Sequence, residues 1–285
     1  MGGAAMLRGR TAVLATMHGK EQAIAPVLQD SLEIQVSVPP ELDTDQFGTF
    51  TRDIPRAGTQ LEAARRKALA AMEMTGCDLA LASEGSFGPH PAMPWVACDL
   101  ELVVLIDRQH DLELVGEALS ASTNYRQTTV SSVAAALTFA AEVQFPSHAL
   151  VVMPQQQPNP SQPIYKGITQ AAQLIATVEQ LLQAGPEIWI ETDMRAHVNP
   201  GRMAVIRQAT EELVVNIEQT CPRCDWPGFQ VVRQLPGLPC AGCGSPTTLI
   251  YSWVYACRKC SYQETVDFPQ GHTKADPGQC AFCNP

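Results

Sequence analysis

The sequence predicts an α/β domain, a mixed sheet flanked by helices, over residues 1–218, followed by a ribbon-type tail with two zinc sites over 219–285. Three observations predict it. Short apolar runs alternate with helix-like stretches through the larger part of the chain, the pattern of an α/β fold. Eight of the ten cysteines fall as four Cys-x-x-Cys pairs within the last 65 residues. No apolar run reaches the roughly 18 residues that would read as a membrane span.

Taken in order, residues 11–16 (TAVLAT) read as a buried strand and residues 20–32 carry apolar side chains at helical spacing. Residues 34–38 alternate like a strand. Residues 39–58 are polar and rich in Asp, Thr, Gly and Pro, as in a long functional loop, with Asp43, Thr44, Asp45, Thr49 and Thr51 available to a cation. Residues 59–75 give the clearest helix. Thr59 stands as N-cap with Glu62 three residues on, the capping-box spacing, and Gly76 stops the helix. Residues 78–82 read as a strand, 83–94 as a loop and 100–106 as a further strand. In the second half, helices are expected over 130–141, 169–183 and 202–217, and strands over 148–153 and 187–191.

The cysteine pairs are Cys221/Cys224, Cys240/Cys243, Cys257/Cys260 and Cys280/Cys283, separated by 15, 13 and 19 residues. Each pair sets two thiolates one tetrahedral edge apart, and two facing pairs complete a closed structural site, so two zinc ions are expected. Residues 1–10 hold no long apolar stretch before a cleavage site, which favours a reducing, cytoplasmic setting over disulfides. Sequential pairing, first with second and third with fourth, is favoured because short loops close at lower entropy. Nesting of the inner pairs within the outer pairs is the alternative.

The chain has a formal charge of −10. Residues 1–220 carry 14 Lys+Arg against 25 Asp+Glu, and the tail carries five against four. A nucleic-acid binder needs a basic face, so nucleic acid is disfavoured as a partner. The aromatics Trp226, Tyr251, Trp253, Tyr255 and Tyr262 offer the tail a surface for a protein partner instead.

Three polar loops follow predicted strands, where open α/β sheets place ligands. The first holds His18, Gly19 and Lys20 at a helix start, a setting that suits an anion. In the second, Glu84 precedes Gly85, Gly88, two prolines and His90. Glu84 fits either a cation ligand or general base, or a plain turn cap, and His90 is a candidate catalyst or a surface histidine. The third carries Asp193, Arg195, His197, Asn199, Pro200 and Arg202. Its arginines fit an anionic ligand, although Asp193 and Arg195 also suit each other and Asn199-Pro200 suits a helix start.

The order of these elements resembles the inosine-triphosphate pyrophosphatase-like superfamily, and within it the inosine/xanthosine triphosphatases. The resemblance rests on Ala15-Thr16 with Lys20, on Thr59, Glu62, Ala64, Lys67 and Ala68 in the helix, and on Ala82-Ser83-Glu84-Gly85. It covers roughly residues 10–107 and, loosely, 187–217, with His18 near the place of the family's usual Asn. It implies a Mg²⁺-dependent hydrolase of a nucleotide or other phosphate compound. Glu62 and Glu84 would hold metal and position water, Lys20, Lys67 and Arg56 would neutralise phosphate, and Arg195, His197 and Arg202 would fix the rest of the ligand. The Ser86-Phe87-Gly88-Pro89-His90-Pro91 run and the Cys-rich tail are foreign to that superfamily. Together they resemble an uncharacterised bacterial family of unknown function.

Overall fold

The sequence TAVLA forms β1 (Thr11–Ala15), whose last four side chains are buried because the strand lies inside a sheet. In the computed structural model, residues 3–44, 58–157, 159 and 161–285 are described. Arg56, Asp45, Thr49 and Thr51 fall outside them. The chain divides into two units, Gly9–Val214 and a second formed by Met1–Arg8 with Val215–Pro285.

In the larger unit, α1 (Glu21–Leu32) leads from β1 to β2 (Gln35–Ser37), and α2 (Gln60–Thr75) leads to β3 (Leu79–His90). The capping box at the start of α2 forms as its spacing predicts. Thr59 Oγ1 accepts from Glu62 N–H at 3.2 Å, Glu62 Oε2 accepts from Thr59 N–H at 2.7 Å, and Gly76 ends the helix at φ 73°. β4 (Met93–Asp107) and β5 (Leu112–Ser120) complete a mixed sheet of order β2-β1-β3-β4-β5, with β1 parallel to both neighbours and the rest antiparallel. Ala64, Ala68, Ala71 and Met72 of α2 pack on Val13, Ala15, Ala80, Ala82, Leu102 and Val104, small side chains that let helix and sheet approach closely.

The expected loop over 83–94 is instead a hairpin arm. β3 runs through His90, turns at Pro91-Ala92 and returns as β4. Among the described residues it has no strand neighbour on its β1 side beyond Ala82, and β5 pairs with β4 only from Asp99 onward. In such a two-stranded ribbon Pro89 and Pro91 interrupt no wider ladder, so the Gly/Pro-rich composition does not prevent pairing.

The second half builds a separate antiparallel sheet of order β6-β9-β7-β8, from β6 (Gln127–Val130), β7 (Leu150–Met153), β8 (Tyr165–Ile168) and β9 (Ile188–Thr192). α3 (Val133–Glu142) and α4 (Ala171–Leu182) bury Phe139, Leu174, Val178 and Leu181 against it. α5 (Pro200–Glu218) starts as its sequence suggests, with Asn199 Oδ1 accepting from Arg202 N–H at 3.0 Å and Pro200 in the first turn. It lies so close to the first sheet that a Cβ on Gly116 would stand 2.2 Å from Ala209 O and Leu213 N.

The smaller unit carries a three-stranded antiparallel sheet, β10 (Gln230–Pro236), β11 (Ile250–Ala256) and β12 (Gln263–Asp267). No helix of the described residues is long and apolar enough to cross a membrane.

Candidate functional site

β3 sets Ser83, Glu84 and Gly85 in succession, so Ser83 and Gly85 face one side of the sheet and Glu84 the other. On the Glu84 side, α2 brings in Lys67, and the two buried side chains form an ion pair. Gln60, in the first turn of α2, donates from Nε2 to the carbonyls of Glu84 (2.7 Å) and Leu100 (2.9 Å), tying β3 and β4 to the helix. On the opposite side, buried Lys20 donates from Nζ to Ser83 O at 2.9 Å and to Ser83 Oγ at 3.0 Å. Arg202, fully buried on α5, donates from Nε to Glu101 Oε1 at 2.6 Å and from Nη1 to Met194 O. Its guanidinium also lies 5.4 Å from the ring centroid of Phe87.

The setting shifts the ionisable groups in opposite senses. Burial, reinforced by the Arg202 charge, pushes the Lys20 ammonium down to about 7. Burial and the neighbouring Glu101 charge push the Asp99 carboxyl up to about 8. Burial also lowers His148.

Lys20, Lys67, Glu84 and Arg202, read from separate stretches of sequence, thus come together around β3 and β4. His18 and His197 meet as well, with ring centroids 5.1 Å apart, joining the first loop to the third. Arg195 forks onto Asp193, with Nη2 to Oδ2 at 2.7 Å and Nε to Oδ1 at 3.0 Å, so the internal pairing open to these two is the one adopted. Glu62 stays exposed at the start of α2, its carboxylate held by the capping box. His90 sits at the hairpin turn, where Nδ1 accepts from Ala92 N–H at 3.1 Å. Among the described residues, neither Glu62 nor Glu84 joins a group of three metal-ligating side chains.

Sequence reasoning missed Asp99 and Glu101. Two carboxylates spaced by two within an otherwise apolar strand point to one face, and that was the available signal.

In the smaller unit the cysteines form two clusters, Cys221/Cys224/Cys257/Cys260 and Cys240/Cys243/Cys280/Cys283. The first pair joins the third and the second joins the fourth, so neither the sequential nor the nested expectation holds. A tetrahedral ion with metal–sulfur bonds of about 2.3 Å sets its ligands about 3.8 Å apart. The observed Sγ–Sγ edges are 3.7 and 3.6 Å in the first cluster and 3.8 and 3.7 Å in the second, far longer than a disulfide, and fit such an ion.

Each Cys-x-x-Cys turn closes with a backbone N–H bonded to the first cysteine's carbonyl, from Asp225, Gly244, Ser261 and Asn284. The first three of these residues take positive φ, which folds the turn tightly enough to bring its two sulfurs together. Trp226, Tyr251, Trp253, Tyr255 and Tyr262 are half-buried, not the open aromatic face expected. Phe229 stacks with Tyr255 and Tyr262 beside the first cluster, and Lys259 Nζ lies 3.8 Å from the Trp226 ring centroid.

A family model described as Domain of unknown function (DUF6671) matches residues 67–285. That span holds Lys67, Glu84, Asp99, Glu101, Arg202 and all eight clustered cysteines, and begins after Lys20. No curated protein matches the chain.

Proposed function

Since the chain belongs to that family of unknown function, whose description names no activity, we propose from the site alone that the protein is a binding module with two structural zinc ions, not a phosphohydrolase. One observation carries this reading: every described cation that a phosphate site would use already has a partner inside the protein. Lys20 bonds Ser83, Lys67 pairs with Glu84, Arg195 with Asp193, and Arg202 with Glu101. A phosphate chain would have to displace these contacts and, at Lys67, Arg195 and Arg202, leave the buried carboxylates of Glu84, Asp193 and Glu101 uncompensated, at several kcal/mol each. The first-turn amides of α5 are likewise engaged, Gly201 N–H with His148 Nε2 and Arg202 N–H with Asn199 Oδ1, which removes the usual anion site of a helix start.

The thiolate-only donor sets and their tetrahedral edges support zinc as the ion of both clusters. When bound, each ion contributes folding free energy by linking segments far apart in sequence. Protein docking by the tail would fall to its exposed apolar side chains, Phe282 at 76% and Val232 at 59% exposure.

The hydrolase reading keeps one supporting fact, the electrostatic proximity of Lys20 and Glu84. The test is phosphate or pyrophosphate release from a panel of nucleoside triphosphates with Mg²⁺, including the inosine and xanthosine forms. The binding-module reading expects no release above the Mg²⁺ background. Mg²⁺-dependent release that disappears in Glu84→Gln would overturn it.

A further inference from the structure

A cavity of about 180 Å³ lies in the Gly9–Val214 unit, lined by residues that include Asp99 of β4, Asn124, Gln144, His148, Asn199 and Arg202. It is comparable to the share of about six liquid waters, at roughly 30 Å³ each. Its walls come from four stretches of chain and are held by their own hydrogen bonds. Asn199 Nδ2 donates to Asn124 Oδ1 at 3.1 Å, Asn124 Nδ2 donates to Val143 O at 3.1 Å, and His148 Nε2 accepts from Gly201 N–H at 3.3 Å. Such walls are set before a ligand arrives, which lowers the entropic cost of binding.

Asp99 differs from its neighbours in the cavity wall. It is 1% exposed, and its Oδ1 has no hydrogen-bond partner among the described residues. A buried carboxyl in this condition is a costly feature that a hydrogen-bond donor would relieve. The neighbouring ionisable groups are engaged within the protein: Arg202 pairs with Glu101, Lys20 is held on Ser83, and burial with the hydrogen-bonded Glu101 beside it raises the Asp99 carboxyl so that it favours its protonated form. None of them is left over as a counter-ion for a charged ligand.

We infer that this cavity binds a small uncharged molecule of the amide or urea class, which donates an N–H to the Asp99 carboxyl and is enclosed by Asn124, Gln144, His148 and Asn199. The inference rests on the binding-module reading and names the ligand class that reading leaves open. It involves no bond making or breaking.

The experiment titrates the full-length zinc-loaded protein with millimolar urea and acetamide, with guanidinium and acetate as charged counterparts, following the Gly201 amide and the Asn124 and Asn199 side-chain amides by NMR. Saturable shifts with urea or acetamide are expected. They should weaken about tenfold or more in Asp99→Leu, the loss of about one good hydrogen bond to a buried group. Ser122→Trp, at the exposed rim, should block them without touching the core. Asp99→Asn, which keeps a carbonyl oxygen and the side-chain shape, should retain them, and so separates a lost acceptor from a lost fold. Shifts that do not saturate, that persist in Ser122→Trp, or that are matched by guanidinium or acetate would overturn the inference. None of those outcomes produces phosphate release, so failure here is distinct from failure of the binding-module reading.

Discussion

Arg202 Nε stands 2.6 Å from Glu101 Oε1, with both side chains sealed from solvent, and Gly85 is what leaves room for the pair. A Cβ at Gly85 would lie 2.2 Å from Glu101 Oε1 and 2.7 Å from Arg202 Nη2. Gly85→Ala should therefore destabilise the protein by forcing the pair apart. Glu101→Leu, which leaves the Arg202 charge buried alone, should cost about 3–5 kcal/mol. Urea unfolding midpoints would check both, and a neutral Gly85→Ala would show that the pair has slack.

Asp99 gives the stability a pH dependence of defined sign. Its folded value is raised to about 8 by burial and Glu101, against an ordinary aspartate near 3.9. The folded state holds the extra proton between these values, so the contribution is full below about 3.9 and is lost as pH rises through about 8. Asp99→Asn should flatten stability against pH in that window, as measured by denaturant unfolding at successive pH values.

Lys20 works in the opposite direction. Burial lowers it to about 7, so the unfolded chain binds the extra proton up to about 10.4 and stability rises with pH across that window. Lys20→Met should remove this rise, whose limiting slope for one group is about 1.4 kcal/mol per pH unit. Identical slopes in wild type and variant would show that Lys20 is not buried as described.

The crossed pairing of cysteines makes a metal-count prediction that sequential pairing does not share. Cys224→Ser with Cys257→Ser damages one cluster here and leaves the other complete, so the doubly substituted protein should keep about one zinc per chain. Sequential pairing would lose both ions. Zinc content by elemental analysis separates the two.

Much of this was legible in the sequence. The Thr59/Glu62 box and Gly76 fixed the ends of α2 because capping is local chemistry, and the cysteine spacing announced the two clusters. Their pairing was not legible, because closure entropy grows only slowly with loop length and gaps of 13 to 19 residues hardly discriminate. Over 83–94 the sequence predicts a loop because Gly and Pro usually punctuate, a signal that a two-stranded ribbon overrides. Lys20, Glu84 and Arg202 stand out in the sequence as polar residues in segments that follow predicted strands, Lys20 and Arg202 where a helix begins. What each one bonds to depends on which strands become neighbours. Glu101 was hidden inside a strand that composition alone marked as core.

If the buried cations are already matched by partners in the protein, added polyphosphate finds no free site. Calorimetric titration of the zinc-loaded protein with inorganic tripolyphosphate, with and without Mg²⁺, should then give no saturable heat. Saturable binding that is lost in Lys20→Met would contradict this matching, by showing that the Lys20–Ser83 contact opens to admit phosphate.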